Sequence, residues 1–304
     1  MNIKESDDLQ TGFLSYNPIS QMVFFLSVLS ITVFIMHPAI LLISLIAASV
    51  FTLEHSGIRG YISSIRFSLV VSVMVVLVNP LISHQGVTII GYLPDGNPFT
   101  LESVFFGIAA AFLMSSSIKW FFCINRIFNS EKMIYIFGKI TPRLALLLSM
   151  TLHFGERAGR HLKSIRSARY PIYSCSERLS LADRVRSGIR ILSSLIQWSL
   201  ENSIDTADSM KSRGYGLSKR TFSNSYHIGS RDVALILIII AGDAFIFYSF
   251  LSEKLYYSFY PVIDMRPEDP AGIASLFVFI IILIIPLLID LSEVIKWKYF
   301  RSGI

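Results

Sequence analysis

The stretch AGIASLFVFIIILIIPLLI at residues 271–289 decides the fold, because none of its nineteen side chains carries a charge. A helix needs about 20 such residues to cross the hydrocarbon core of a bilayer. Backbone N–H and C=O groups find no water there, so a spanning segment must be a helix or a strand of a closed barrel. The apolar residues run continuously and do not alternate, which excludes a barrel strand. Residues 271–289 are therefore predicted to form a transmembrane helix.

Five further apolar runs accompany this one, and the composition agrees with them. The runs are Met22–Met36, Ala39–Leu53, Phe67–Ile82, Ser103–Ile124 and Val233–Leu251. Hydrophobic residues make up 53% of the 304 residues and charged residues only 16%, against roughly 25% charged in a soluble domain. These values exclude a soluble enzyme and a disordered protein. The two cysteines, Cys123 and Cys175, are too few for a disulfide scaffold.

The sequence therefore predicts an all-α polytopic membrane protein with about six transmembrane helices. The first two runs are near 15 residues each, and His37-Pro38 separates them. Proline cannot donate a helical hydrogen bond, so we expect two short spans there. Residues 1–140 would hold the N-terminal spans, 141–231 an extramembrane helical domain, and 232–304 the C-terminal spans.

The distribution of Lys and Arg predicts the orientation. Residues 79–100 carry neither, whereas residues 125–143 carry four. Six spans with both ends in the cytoplasm place 25 of the 27 basic residues on the cytoplasmic side, as the positive-inside rule requires. Residues 141–231 are then cytoplasmic in a protein of the cell membrane.

Two amphipathic helices are predicted in this basic region, whose residues 153–220 hold 13 Lys and Arg against 6 Asp and Glu. The first begins at Thr141-Pro142, since proline suits the first helical position. It should stop at Ala168-Arg169-Tyr170-Pro171, because the residue before proline disfavours helix. The second runs from Leu181 to Met210 with apolar residues at spacings of three and four. It should stop at Ser212-Arg213-Gly214, with glycine at the C-terminal position.

Both predicted helices thus end in a small residue followed by arginine. A small residue lets a helix end enter a groove, and an arginine can donate several hydrogen bonds in a fixed fork. Docking of a helix into a groove is a common recognition mode. The simpler interpretation is that each arginine complements the dipole of its helix.

A family resemblance rests on these ends and on other short motifs. Met210-Lys-Ser-Arg-Gly-Tyr-Gly216 resembles the second Ala-Arg-Gly coupling motif of the transmembrane T component of energy-coupling factor (ECF) transporters, the CbiQ-like family, and Ser167-Ala168-Arg169 resembles the first. Asn79-Pro-Leu-Ile-Ser-His-Gln-Gly86 is similar to that family's Asn-Pro-Leu-x-x-His-x-Gly stretch. Further pieces fit in order, namely Thr100-Leu-Glu-Ser, Gly107 and Thr141–Met150. The chain departs from the family at Tyr170, usually Gly, and at Ser212, usually Ala.

The resemblance implies a function in transport. Such a T component holds a substrate-binding membrane S component and rests on two ABC ATPase subunits. ATP-driven motion of the ATPases then drives uptake of a vitamin or a transition-metal ion. The residues implied to couple the ATPases are Ala168, Arg169, Ser212, Arg213 and Gly214. The sequence has no G-x-x-x-x-G-K-[S/T] phosphate loop, so ATP would bind the partners, and we expect no cofactor, metal, catalytic residue or nucleic-acid partner.

Two other interpretations stay open. Glu201, Asp205 and Asp208 are spaced i, i+4 and i+7, so they share a helix face and could hold Mg²⁺ in a membrane-embedded prenyl or lipid transferase. Alternatively, the protein could be a membrane scaffold whose basic region binds anionic lipid headgroups. Asp243 lies within a predicted span, where a carboxylate is costly and often functional.

Overall fold

The computed structural model describes residues 12–92, 96–173, 181–215, 228–265 and 269–302. Its helices are α1 (Pro18–Phe34), α2 (Pro38–Ile82), α3 (Leu101–Ile127), α4 (Ser130–Ile140), α5 (Pro142–Tyr173), α6 (Leu181–Ser212), α7 (Ser230–Leu251) and α8 (Pro270–Ser302). Two short antiparallel hairpins join them: β1 (Ile89–Tyr92) with β2 (Pro98–Thr100), and β3 (Tyr257–Ser258) with β4 (Asp264–Met265). The chain divides into two compact units. Residues 1–129 and 226–304 form the first unit, and residues 130–225 form the second.

The all-α membrane fold class is confirmed. Among the described residues, the four helices α2, α3, α7 and α8 are long and apolar enough to cross a membrane. The most apolar of them is α8, with a mean hydropathy of 3.1 in its best window. The apolar helix α1 is shorter, at 17 residues. All five helices belong to the first unit.

The six predicted runs lie on five helices, because α2 contains two of them. Residues 54–66, which separate the predicted runs Ala39–Leu53 and Phe67–Ile82, are helical. Only Gly57 leaves helical geometry, with φ 65° and ψ 178°. This stretch contains no proline, and glycine tolerates a positive φ without steric cost. The helix is therefore broken at one residue, and α2 consists of two helical segments that meet in a kink at Gly57.

The predicted break at His37-Pro38 is confirmed. α1 ends at Phe34, and α2 begins at Pro38 with His37 as its N-cap residue. Proline fits the first helical position because the N–H it lacks has no helical partner there. The break thus separates two helices.

Aromatic rings fill the centre of the first unit. Phe13, Phe24, Phe51 and Trp120 are all at most 1% exposed. The ring centroids of Phe24 and Trp120 lie 6.0 Å apart, and those of Phe13 and Phe24 lie 5.5 Å apart, both edge to face. This geometry suits the quadrupoles of the rings. The cluster joins the turn at Gly12–Ser15 to α1, α2 and α3.

Segment 271–289, which the family resemblance does not cover, is an integral part of this unit. Phe279, Ile282 and Leu283 on α8 are buried in the same core. A Cβ atom on Gly242 of α7 would lie 2.7 Å from Ile282 Cδ1. α7 and α8 are therefore in close contact at this glycine.

Loops and helix ends that the predicted topology places on the same side of the membrane lie close together. On the predicted outer side, the rings of His37 and Tyr257 are 5.8 Å apart, and Ser83 Oγ lies 3.0 Å from the hydroxyl of Tyr260. At the opposite ends of the helices, Phe13 N–H donates to Asp290 Oδ1 at 2.5 Å. This grouping agrees with the alternating path predicted for the spans.

We predict that Gly272→Ala destabilises the protein, because its Cβ would come 2.5 Å from the backbone oxygen of Lys254. Overpacking of this kind costs about 1–3 kcal/mol. Gly242→Ala is the matched comparison and should cost less, because the atom it meets is the terminal methyl of a flexible side chain. Thermal unfolding in detergent measures both variants. A Tm of Gly272→Ala equal to or above that of the unmodified chain would contradict the close approach.

Candidate functional site

The second unit contains both predicted coupling helices, and Trp198 on α6 is their main ring contact. Its indole stacks on His161 at 4.4 Å and on Phe154 at 5.8 Å, both on α5. A ring contact of this kind contributes about 0.5–1.5 kcal/mol beyond its burial. His161 therefore contributes to the packing of α5 against α6.

The two helices run in opposite directions where they touch. Residues of α5 between Ser149 and Arg157 line a cavity of about 420 Å³ together with residues of α6 between Asn202 and Met210. Further along α5, His161 meets the earlier residue Trp198 of α6. The C-terminal ends of α5 and α6 therefore point away from each other. Arg169 lies eight residues beyond His161 on α5, or about 12 Å at 1.5 Å per residue, and Arg213 lies three residues beyond Met210 on α6, or about 5 Å.

The end of α6 is a glycine cap, as the sequence predicts. Tyr215 N–H donates to the carbonyl oxygen of Met210, and Gly214 N–H donates to that of Lys211, both at 3.0 Å. Gly214 has φ +76°. These two bonds and the left-handed glycine define the Schellman motif. The α6 tip, by which we mean Ser212, Arg213 and Gly214, therefore has a fixed backbone.

The side chains of this tip face outward. Ser212 and Arg213 are exposed, and Gly214 is half-buried. Ser212 Oγ donates to the carbonyl oxygen of Ser209 at 2.9 Å. Arg213 makes no salt bridge to a carboxylate of the described residues, so its guanidinium is available to a partner. Gly216 of the same motif lies outside the described residues.

The first motif is not at a helix end, which corrects the sequence prediction. α5 continues through Ala168, Arg169 and Pro171 to Tyr173. Proline lacks one N–H, so the helix loses the single bond to the carbonyl four residues earlier and continues for two more residues. Ala168 is exposed on the last turns of α5, whereas the side chain of Arg169 lies outside the described residues.

An apolar stripe follows one side of α6 and is uncovered by the described residues. Its members recur every three or four positions, and each is more than half exposed. They are Val185, Ile189, Leu192, Ile196, Leu200 and Ile204. A contiguous exposed row of large apolar side chains marks an interaction surface. We call this row the α6 stripe.

The acidic residues of the transferase alternative remain on the surface. Glu201, Asp205 and Asp208 are all exposed on α6. They do not form a group whose ligand atoms lie within 4.8 Å of one another; among the described residues, such a group is found elsewhere, at Glu54, His55 and Asp290. No contact in the described part of the chain assigns these three carboxylates a metal.

Several pieces of the family resemblance lie together in the first unit. Thr88 N–H donates to Glu102 Oε1 at 3.0 Å, and Thr100 Oγ1 donates to the carbonyl oxygen of Gln85 at 2.8 Å. Gly86 has φ +139° and lies against Glu102, since a Cβ atom added to this glycine would be 2.5 Å from Glu102 Oε2. A Cβ atom added to Gly107 would similarly lie 3.4 Å from the Cβ of Asn79. The loop after α2 and the start of α3 thus form one packed structure.

Two polar clusters were missed or left without a role by sequence reasoning. Asp243 accepts a hydrogen bond from Ser27 Oγ at 2.7 Å, which gives this carboxylate a partner on α1. His55 and Asp290 approach within 3.6 Å although they lie near opposite ends of the chain. Their only sequence signal is that each follows the end of an apolar run.

Comparison with protein-family models and with curated proteins finds no match to this chain. The likeness to the T component of ECF transporters therefore stays a prediction carried by the short motifs quoted above.

We predict that Gly214→Ala destabilises the glycine cap of the α6 tip. A residue with a Cβ costs about 1–2 kcal/mol in the left-handed conformation, so the two capping bonds should open more often. Hydrogen exchange at the amide of Tyr215 measures this opening. Gly188→Ala is the control, since no atom lies within 4 Å of the Cβ it would add. Unchanged exchange in Gly214→Ala would contradict the cap.

A second prediction concerns Lys132 on α4, where burial lowers the pKa from 10.5 to about 8. The unfolded chain would hold this proton up to about pH 10.5, so folding should become more favourable as the pH rises from 8 towards 10.5. An NMR titration of ¹³C-methylated lysines, with the signal assigned by its loss in Lys132→Arg, measures the pKa. A midpoint at the ordinary value would contradict the burial of this amine.

Proposed function

We propose that this protein is the transmembrane coupling subunit of an ECF-type ABC importer. The observation that carries the proposal is the α6 tip, where a fixed glycine cap presents an exposed arginine that makes no salt bridge to any of the described residues. Such a tip can enter a groove on a partner and donate several hydrogen bonds to its carboxylates or carbonyls. On its own the chain would not hydrolyse ATP.

The opposite directions of α5 and α6 support two ATPase partners. The tip of each helix lies beyond the contact region on its own side, so one partner could not easily receive both. A pair of ATPase subunits offers two equivalent grooves. In this scheme Arg213 anchors one ATPase, and the last turns of α5, with Ala168 and Arg169, contact the other.

The α6 stripe supports a membrane-embedded partner as well. Six large apolar side chains more than half exposed are unfavourable in water, at about 25 cal/mol for each Å² of apolar surface. A substrate-binding S component, together with lipid, would cover them. ATP-driven movement of the tips would then reach this partner through the rigid helix α6, and the partner would deliver a vitamin or a transition-metal ion.

The contacts of Gly86 with Glu102 and of Gly107 with Asn79 support the resemblance itself, because residues quoted from separate motifs meet in space. The transferase alternative lacks comparable support, since its carboxylates are exposed and dispersed. The lipid-scaffold alternative predicts a basic surface but gives no reason for a glycine-capped arginine.

We predict that Arg213→Ala weakens ATPase association by about 30-fold or more, because loss of an anchor residue costs about 2 kcal/mol or more. The complex would be purified from native membranes, and ABC ATPases identified by peptides carrying a phosphate loop. Arg190→Ala, an exposed arginine on the same helix, is the matched control and should retain the ATPases.

Three outcomes separate the alternatives. Loss of ATPases and uptake in Arg213→Ala, enhanced by adding Arg169→Ala, supports coupling. Equal retention of ATPases in Arg213→Ala and Arg190→Ala would refute the anchor. Copurification of no ATPase from the unmodified chain, with binding only to anionic vesicles, would favour the scaffold.

A further inference from the structure

A histidine and two carboxylates meet in the first unit. The ligand atoms of Glu54, His55 and Asp290 all lie within 4.8 Å of one another. Glu54 and His55 belong to α2, and Asp290 belongs to α8. His55 and Asp290 are each 7% exposed, whereas Glu54 is exposed. The cluster is therefore buried on one side and open on the other.

The histidine is oriented by its surroundings. Its Nδ1 lies 3.2 Å from the carbonyl oxygen of Phe51, and its ring stacks on the Phe51 ring at 4.4 Å. A carbonyl oxygen can only accept, so a proton on Nδ1 satisfies this contact and Nε2 is the ring nitrogen that is directed towards the carboxylate. Nε2 faces Asp290 Oδ2 at 3.6 Å. Histidines that bind metals are held in the same way, with the second ring nitrogen donating to a backbone carbonyl.

Asp290 points one oxygen into this cluster with no hydrogen-bond donor. Oδ1 accepts from Phe13 N–H at 2.5 Å, whereas the buried Oδ2 accepts no hydrogen bond from the described residues. A cation between Nε2 and this carboxylate oxygen, either a proton or a metal ion, would hold the two atoms together. Glu54 adds a second negative charge. The three groups thus place one imidazole and two carboxyl groups within reach of a single ion.

We propose that Glu54, His55 and Asp290 bind a divalent transition-metal ion, with Zn²⁺ as the best match. One imidazole nitrogen and two carboxylate oxygens form a ligand set that zinc accepts, with water as a fourth ligand. Tetrahedral bonds of about 2.0–2.2 Å separate neighbouring ligand atoms by about 3.3–3.6 Å. The distance of 3.6 Å between Nε2 and Oδ2 agrees with this range.

The ion would fasten three segments of the chain. It would join α2 to α8, and Asp290 already accepts from the turn at Gly12–Ser15. Glu293, one turn further along α8, accepts from Gly12 N–H. The site is independent of the α6 tip, and the bound ion would be a structural component of the protein and not the cargo of the transporter.

Zinc binding to the tag-free full chain tests the proposal. The protein is purified in detergent, stripped with EDTA and titrated with Zn²⁺ against a chromogenic chelator. We expect one Zn²⁺ per chain and a higher Tm in its presence. Co²⁺ in the same site should show the visible absorption of a four-coordinate ion. Mg²⁺, which prefers all-oxygen octahedral sites, should not compete.

Matched variants identify the ligands. His55→Ala and Asp290→Asn should each weaken zinc binding by more than about 10-fold. A loss of about 10-fold is already seen when a residue that only supports a ligand is changed, and removal of a ligand itself should cost more. Asp290→Asn keeps an oxygen that can accept from Phe13 N–H. Glu293→Gln alters the neighbouring contact to Gly12 but leaves the three ligands, so its affinity should be unchanged.

The exposed Glu54 keeps the test decisive if a buried variant fails to fold. Glu54→Gln should fold, bind zinc more weakly and lose most of the rise in Tm. The proposal is overturned if the unmodified chain binds no stoichiometric zinc. It is equally overturned if Glu54→Gln binds zinc as tightly as Glu293→Gln does.

Discussion

Polar groups enclosed by apolar helices constrain the first unit more than any other interaction. Backbone and side-chain donors in such a body find no water and must find partners inside it. Ser44 illustrates this, because its hydroxyl receives the indole N–H of Trp120 at 3.0 Å and lies 2.8 Å from Thr32 Oγ1. These contacts tie α1, α2 and α3 together. Each contributes only about 0.6 kcal/mol by analogy with other membrane proteins, but an unpaired group would cost more.

Carboxylates perform the same task at the ends of the helices. Asp232, near the start of α7, accepts from the backbone N–H of Asn17 at 2.9 Å and from Ser20 Oγ at 3.1 Å. It also accepts from Gly229 N–H at 3.0 Å, closing the first turn of its own helix. Asp290 accepts from Phe13 N–H in the turn at Gly12–Ser15, just before Asn17. The N-terminal segment is thereby fixed to both C-terminal helices, and its Phe13 ring reaches the aromatic core.

The sequence predicts those features of the fold that depend on neighbouring residues. Continuous apolar runs reveal the spans, and the cap of α6 follows from a single glycine. Gly57 and Pro171 run against the same local rules, because a single glycine forms the whole junction between two helical segments and a single proline removes only one helical hydrogen bond. The approach of His55 to Asp290 has no local signal at all. Such a contact depends on the packing of α2 against α8.

The energetics of the second unit explain why its exposed features belong together. Complementing a helix dipole yields only about 0.3–1 kcal/mol for a cation near a C-terminus, so this effect alone is a weak reason to place Arg213 there. The α6 stripe has a larger consequence, since complete burial of one Leu or Ile side chain gains about 1.5–3 kcal/mol. An apolar surface of this kind gives affinity but little direction. A rigidly capped arginine gives direction but modest affinity, and one helix that carries both can bind a partner tightly in a single orientation.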